Sequence, residues 1–428
     1  MLFLNWEKMK RLFLFSAVFI LSFSVFSQQI THETIVINVE VPVRVFKGST
    51  FIDNLTLNDF DITEDGVPQK IEAVYLVKKR SIERREEKKR FAPQTSRDFY
   101  LFFEITEYTP KLGEGIGYFI RNVIVPGDNL TIITPMKTYK LKSQTFEILS
   151  KEEIVSQLKG ILRKDALIGS SEYRDIIDDI VRLAKSLSSA VQLGSGSADF
   201  SVDQETLSPL RNLDNFSAQE YESRPISEQI TAYGMLLEKL ESVRSVDQQK
   251  FFEFAKLLKE EEGQKHVFMF YEKEYIPHVD PKILNQYMSM YQDRPEVLHT
   301  ITSLFDFYKR DITLDISRVK QTYADSSISI HFLYISKPLQ HIYGIRMHEH
   351  SGDIYAAFRE MAQATGGFAD SSTNSAFLFQ KAIEASENYY LLYYSPNDYR
   401  RDGKFKVIKV RVKNKSCRVI HRTGYFAN

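Results

Sequence analysis

The chain has 428 residues, too many for one ordinary hydrophobic core and suited to two or three domains. Its 56 basic residues balance 56 acidic ones, so no net charge favours coating a nucleic acid, and none is expected as a partner. Phe and Tyr, with 31 and 23 copies against one Trp, supply the aromatic content, which suits β-rich packing and contact surfaces.

Lys8, Lys10 and Arg11 precede an apolar run from Leu12 to Phe26, and Val25-Phe26-Ser27 offers small residues at a cleavage point. Residues 1–27 therefore read as a signal peptide cut after Ser27, with Met9 an alternative start. The run holds about 15 residues, short of the about 20 that a spanning helix needs. The mature chain is expected to be secreted or periplasmic, with no integral membrane segment after cleavage. No Cys stands near the cut, which excludes a lipid anchor there. The single Cys417 cannot close an internal disulfide, and its valine-rich surroundings read as a strand with a packed thiol.

Residues 28–80 read as β-structure. Ile35 to Phe46 alternates apolar with polar residues, a half-buried strand that Pro42 places at an edge. Glu64-Asp65-Gly66 marks a tight turn, and Lys70 to Val77 the next strand. Residues 81–96 are mixed in charge with little that is apolar, and read as a solvated linker.

Residues 97–385 follow another pattern. Phe99 to Phe103 is a continuous apolar run, as in a strand buried on both faces of a parallel sheet. Leu130–Thr134, His266–Tyr271 and Ile328–Ile335 repeat the signal, and helical periods lie between: Ile116–Val125, Lys151–Arg163, Glu172–Ser189, Ile226–Glu262 and Asp353–Ala364. That alternation predicts an α/β domain with a doubly wound, mostly parallel sheet. A polar stretch at about 192–223 reads as an insertion in it. Ile226–Glu262 is either two helices or a projecting arm. Residues 386–428 return to strands: Tyr389–Pro396, Gly403–Val407 and Arg422–Phe426. Strands from the two ends are expected to join in one β-sandwich-like module, with Tyr390, Leu392 and Tyr394 on one face and Tyr389, Leu391 and Tyr393 on the other.

Leu55 to Gln69, Thr365-Gly366-Gly367, Tyr390 to Pro396 and Arg422 to Tyr425 stand in an order that resembles the VWFA-related family of secreted bacterial proteins. The resemblance spans the mature chain. It implies a von Willebrand A-like domain flanked by β-strands, and a role in adhesion or protein interaction.

Domains of that kind carry a metal-ion-dependent adhesion site, in which an Asp-x-Ser-x-Ser loop, a Thr and an Asp hold Mg²⁺ and leave a position open for a partner's carboxylate. This sequence departs from each part. Glu104-Ile105-Thr106-Glu107-Tyr108 stands at the first loop, Ser170 or Ser171 answers the Thr, and Tyr271-Glu272-Lys273 replaces Thr-Asp-Gly. Glu104, Thr106, Ser170 and Glu272 still offer oxygens at the corresponding places, so a degenerate site for Mg²⁺ or Mn²⁺ is the metal candidate, with no cofactor the main expectation.

Other motifs are weaker. His348-Glu349-His350 has ligand-type side chains but no third ligand close in sequence, and reads as an exposed loop. Gly113-Glu114-Gly115-Ile116-Gly117 lacks the G-x-G-x-x-G spacing and reads as a remade loop. No G-x-S-x-G or Walker loop is present. A secreted, non-enzymatic binding protein with a protein partner is the resulting expectation. Its rivals are an envelope-assembly scaffold docking through Ile226–Glu262, and a secreted hydrolase built on Glu104 and Glu272.

Overall fold

The computed structural model describes residues 37–194, 224–244, 248–261, 263–307, 315–325, 328–337, 339 and 341–428. The expected signal peptide and most of the expected polar insertion lie outside the described residues. Asn38–Asn428 forms one compact unit, and the following account concerns it.

Strands β1 (Val39–Lys47), β2 (Thr50–Phe51), β3 (Phe60–Glu64), β4 (Val67–Gln69), β5 (Ile71–Lys78) and β6 (Ser81–Glu87) open it. Asp65 and Gly66 both have positive φ, at 49° and 84°, so the Asp-Gly pair closes the β3–β4 hairpin in the twist-matched way. Two sequence expectations need correction. Ser81–Glu87 is a strand paired with β5, not a linker. Its charged residues suit an edge, where they block further pairing, and they have partners: Leu57 N–H donates to Glu86 (2.8 Å), and Arg84 donates to the carbonyls of Asp53 (3.1 Å) and Leu55. β1 is not an edge strand. It lies between two neighbours, although one of them covers only Val43–Phe46, so Pro42 is paired on one side alone.

The middle of the chain builds an α/β layer. Its elements are β7 (Arg97–Glu104), α1 (Pro110–Asn122), β8 (Asn129–Ile133), β9 (Thr138–Leu141), α2 (Ser143–Ile148), α3 (Lys151–Gly169), α4 (Ser171–Gly194), α5 (Ile226–Arg244), α6 (Gln248–Glu260), β10 (Gln264–Glu272), β11 (Tyr275–Val279), α7 (Pro281–Met290), α8 (Pro295–Phe307), α9 (Ile316–Asp325), β12 (Ile328–Ile335), β13 (Ile345–Glu349), α10 (Gly352–Ala364), β14 (Ala369–Ser372) and α11 (Ser375–Glu387). The main sheet runs β9-β8-β7-β10-β12-β14, parallel except for β9. Numbered within the sheet, that order is 3-2-1-4-5-6, a doubly wound order whose direction of growth reverses between β7 and β10.

Alternation along each parallel strand feeds two cores. Phe99, Leu101, Phe103, Phe268, Phe270 and Leu333 pack with α1, α3 and α11 on one face. Tyr100, Val267, Ile330, Phe332 and Tyr334 pack with α6, α9 and α10 on the other. The glycines of 113–117 belong to α1 rather than to a loop, because Thr109 caps that helix and Pro110 starts it. A Cβ on Gly115 would lie 2.3 Å from the Phe379 ring, so glycine is what lets α1 and α11 approach.

A third core is separate. Helices α4, α5, α7 and α8, with the β11–β13 ribbon, enclose Ile180, Leu187, Tyr233, Leu284 and Ile301. The three segments that build this satellite leave the sheet after α3, after β10 and after β12, at the end where the parallel strands finish. Ile226–Glu262 is therefore two helices in two different cores, α5 in the satellite and α6 against the sheet, and not a projecting arm.

Strands β15 (Asn388–Tyr394), β16 (Phe405–Val412), β17 (Arg418–His421) and β18 (Gly424–Phe426) complete the fold. β15 enters between β1 and β5, in a sheet ordered β17-β1-β15-β5-β6, and β16 pairs with β3 in a second sheet ordered β18-β16-β3-β4. Tyr390 packs on Phe60, and Tyr394 and Tyr425 both donate to Glu64 (2.6 and 2.9 Å) between the two sheets. Tyr389, Leu391 and Tyr393 face the other way, with Tyr75 and Phe91. Cys417 lies half-buried in the turn before β17, not in a strand core.

Candidate functional site

In a doubly wound sheet the ligand crevice opens at the strand ends flanking the reversal of strand order. Here those ends are Glu104 on β7 and Glu272 on β10; Glu104 pairs in register with the neighbouring Tyr271. Thr106 follows on the first loop, and Ser170 caps the C-terminal end of α3.

The centre is a knot rather than a cavity. Glu272 is buried, and its Oε2 accepts from both the N–H and the hydroxyl of Thr106, each at 2.6 Å. Its Oε1 is bound by the ammonium of Lys337, two residues past β12. The same ammonium donates to Thr106 Oγ1 (3.0 Å) and reaches Glu107 Oε2 (3.3 Å). Burial pulls the Lys337 pKa down, and the Glu107 carboxylate opposes that pull. The hydroxyl of Ser170 lies 2.6 Å from the Ala166 carbonyl and 3.0 Å from that of Thr106, tying the helix end to the loop.

Three of the four expected residues thus meet, around Lys337, which the sequence reading missed. The signal was present, since a lysine two residues after the fourth buried parallel strand must lie where the strand ends converge. Glu104 stands apart on the exposed rim.

These residues do not fit Mg²⁺ or Mn²⁺. Magnesium demands near-octahedral oxygens at about 2.0–2.1 Å. Here the Thr106 hydroxyl spends its proton on Glu272, Ser170 spends its own on backbone, and a positive charge already sits against the oxygens a metal would need. Of the four residues expected at a degenerate metal site, Thr106 and Glu272 share the Lys337 contacts, Ser170 joins them through the Thr106 carbonyl, and Glu104 lies outside.

Of the segments quoted for the family resemblance, Thr365–Gly367 and Arg422–Thr423 lie elsewhere, at the joint between the β-sheets and the α/β layer. Thr365 accepts from Ile330 N–H (3.1 Å), and a Cβ on Gly367 would lie 1.6 Å from the Ile330 carbonyl oxygen. Arg44 donates to the Gly366 carbonyl, Arg422 to the Glu40 carbonyl (2.6 Å), and Thr423 N–H to that of Ala364 (2.8 Å). A cavity of about 40 Å³ remains at this joint, between Arg44, His266, Tyr389 and His421, with room for about one water. A shallower recess of about 380 Å³ lies on the small sheet between Phe60, Gln69 and Lys413. Neither includes Glu104 or Glu272.

No protein-family model matches the chain, and no curated protein matches it. Among solved structures, the crystal structure of the human COPII-coat protein Sec24c aligns at a TM-score of 0.27 and 8% identity, covering 78% of this chain and 44% of that one. The chain thus spans less than half the length of that structure.

Proposed function

We propose that this is an exported, non-enzymatic protein-binding chain of von Willebrand A-like type, whose adhesion site has exchanged its metal for a lysine. The doubly wound sheet and the place of Thr106, Ser170 and Glu272 at its reversal support that reading. The observation that carries it is the Lys337 ammonium on Glu272, Thr106 and Glu107. A hydrolase built on Glu104 and Glu272 fits poorly, because Glu272 is committed on both oxygens. A scaffold docking through Ile226–Glu262 fits poorly too, since both helices bury apolar faces inside the chain.

The contact surface is then apolar rather than metal-borne. Leu167 and Ile168 are exposed at the end of α3 beside Ser170, and Met136 packs close to Gly169 while itself exposed. Contiguous exposed apolar groups mark interaction surfaces. A photo-crosslinker at Leu167 should capture a protein partner in chelator as well as in Mg²⁺, and Met136→Glu should abolish the capture. Chelator-sensitive capture, or equal capture from the exposed Val407 on the β-sheets, would overturn the proposal.

A further inference from the structure

The cavity of about 40 Å³ at the joint between the β-sheets and the α/β layer has a lining of one charge sign. Two of its residues are arginines, Arg44 on β1 and Arg422 in the link from β17 to β18, both buried, and none of the residues lining it is acidic. Glu40, also on β1, lies outside the lining and spends its carboxylate on Tyr393 and on Gln264 (2.8 Å). Other polar groups around the cavity are satisfied. The Thr365 hydroxyl lies 3.0 Å from the Ala362 carbonyl, Ser329 Oγ lies 2.9 Å from His331 Nε2, and His421 Nε2 accepts from Val410 N–H (3.2 Å). Two groups are left over. Among the described residues, the Tyr389 hydroxyl and both ring nitrogens of His266 have no hydrogen-bond partner, although Tyr389 is 3% exposed and His266 5%. A buried polar atom left in that state is costly and calls for a partner.

A guest in the cavity supplies that partner, and the lining selects its charge. Water fills such a space but brings no charge to two buried guanidiniums. We infer that the joint cavity is a site for a small monovalent anion of the chloride class, accepting from the Tyr389 hydroxyl, from one N–H of His266 and from guanidinium N–H groups of Arg44 and Arg422. A chloride ion is little larger than a water, whereas sulfate and phosphate exceed the space. Burial first, then Arg97 and Arg44, hold His266 in its neutral form, which still has one N–H to donate. Burial first and the like charge of Arg418 second pull the Arg44 pKa down to about 10, and an anion in the cavity opposes both. The lining comes from β1, β15 and the β17–β18 link on one side, and from β10, β12 and the residues after α10 on the other. A bound ion therefore fastens the β-sheets to the α/β layer. It does so where β10 and β12 begin, at the opposite end of those strands from the Lys337 network, and it does not depend on the function proposed above.

The test is thermal unfolding of the full chain at fixed ionic strength, with sodium gluconate replaced stepwise by sodium chloride or sodium bromide; gluconate is too large for the cavity. A melting temperature that climbs with the logarithm of halide concentration is expected, because the ion binds the folded chain alone. Tyr389→Phe deletes one donor to a charged acceptor, so it should need at least about 10-fold more halide for the same rise. In gluconate it should melt no lower than the natural chain, since that hydroxyl has no protein partner among the described residues. Tyr343→Phe, at a side chain 67% exposed, should respond to halide as the natural chain does. Crystals of the natural chain grown in bromide give a second measurement that needs no variant, the anomalous signal of bromide inside the cavity, and it decides the question should Tyr389→Phe fail to fold. Equal melting in gluconate and halide, an unchanged halide response in a folded Tyr389→Phe, or water in the cavity of the bromide crystals overturns the site.

Discussion

Replacing Lys337 by Met keeps the aliphatic stem and deletes only the ammonium, so it isolates the charge that binds Glu272. Exposed pairs contribute about 0–1 kcal/mol, whereas removing one partner of a buried pair costs about 3–5 kcal/mol. Glu272 is 6% exposed in its side chain and Lys337 33%, so this pair lies between those limits. Glu272 also keeps both Thr106 donors. The expected cost is about 2–3 kcal/mol, read from urea midpoints at constant m. Lys337→Met with Glu272→Gln should lose less than the two singles added, by about 1–2 kcal/mol, because the amide still accepts from Thr106 and leaves no buried charge. Millimolar Mn²⁺ should restore part of the stability of Lys337→Met and leave the natural chain unmoved. The reasoning fails if Lys337→Met changes stability by less than about 0.5 kcal/mol. It fails equally if the two substitutions add, or if Mn²⁺ stabilises both proteins alike.

Two other perturbations probe the scaffold. His266 and His331 are buried and held well below the ordinary imidazole range, by burial first and then by Arg97 and Arg44 for His266, Arg44 and His266 for His331. Only the unfolded chain takes their protons, so stability is full above about pH 6.5 and falls as pH drops below it; His331→Phe, set among Phe268 and Phe368, should flatten that fall, and an unchanged acid limb would sink the argument. Ending the chain after Asn388 removes the shared partner of β1 and β5, so amides of Val41, Val43, Val74 and Leu76 should lose hydrogen-exchange protection, and retained protection would count against a joint sheet.

What could be read from the sequence follows from how local each signal is. Phe99–Phe103 and Ile328–Ile335 announce buried parallel strands because both faces are apolar, and no distant residue is needed to say so. The Asp65-Gly66 turn is equally local. Ser81–Glu87 misled because charge masks alternation: Ile82, Arg84 and Glu86 are half-buried against a loop that only the fold brings near. Thr106 and Glu272 were legible as a pair of loop ends, yet 166 residues separate them and 231 separate Thr106 from Lys337. Nothing local could say that the cation among them is part of the chain.

The position of Lys337 bears on how the satellite is attached to the sheet. The segments meeting at Glu272 are the roots of the satellite: α4 starts one residue after Ser170, β11 three residues after Glu272, and the segment to β13 just after Lys337. A divalent ion there would make the satellite's attachment rise and fall with metal supply. An ammonium on its own side chain is always present, and Ser170 holds the third root to the same loop through the Thr106 carbonyl. The attachment is then permanent, and under the proposed function recognition would fall to the surface that α3 presents.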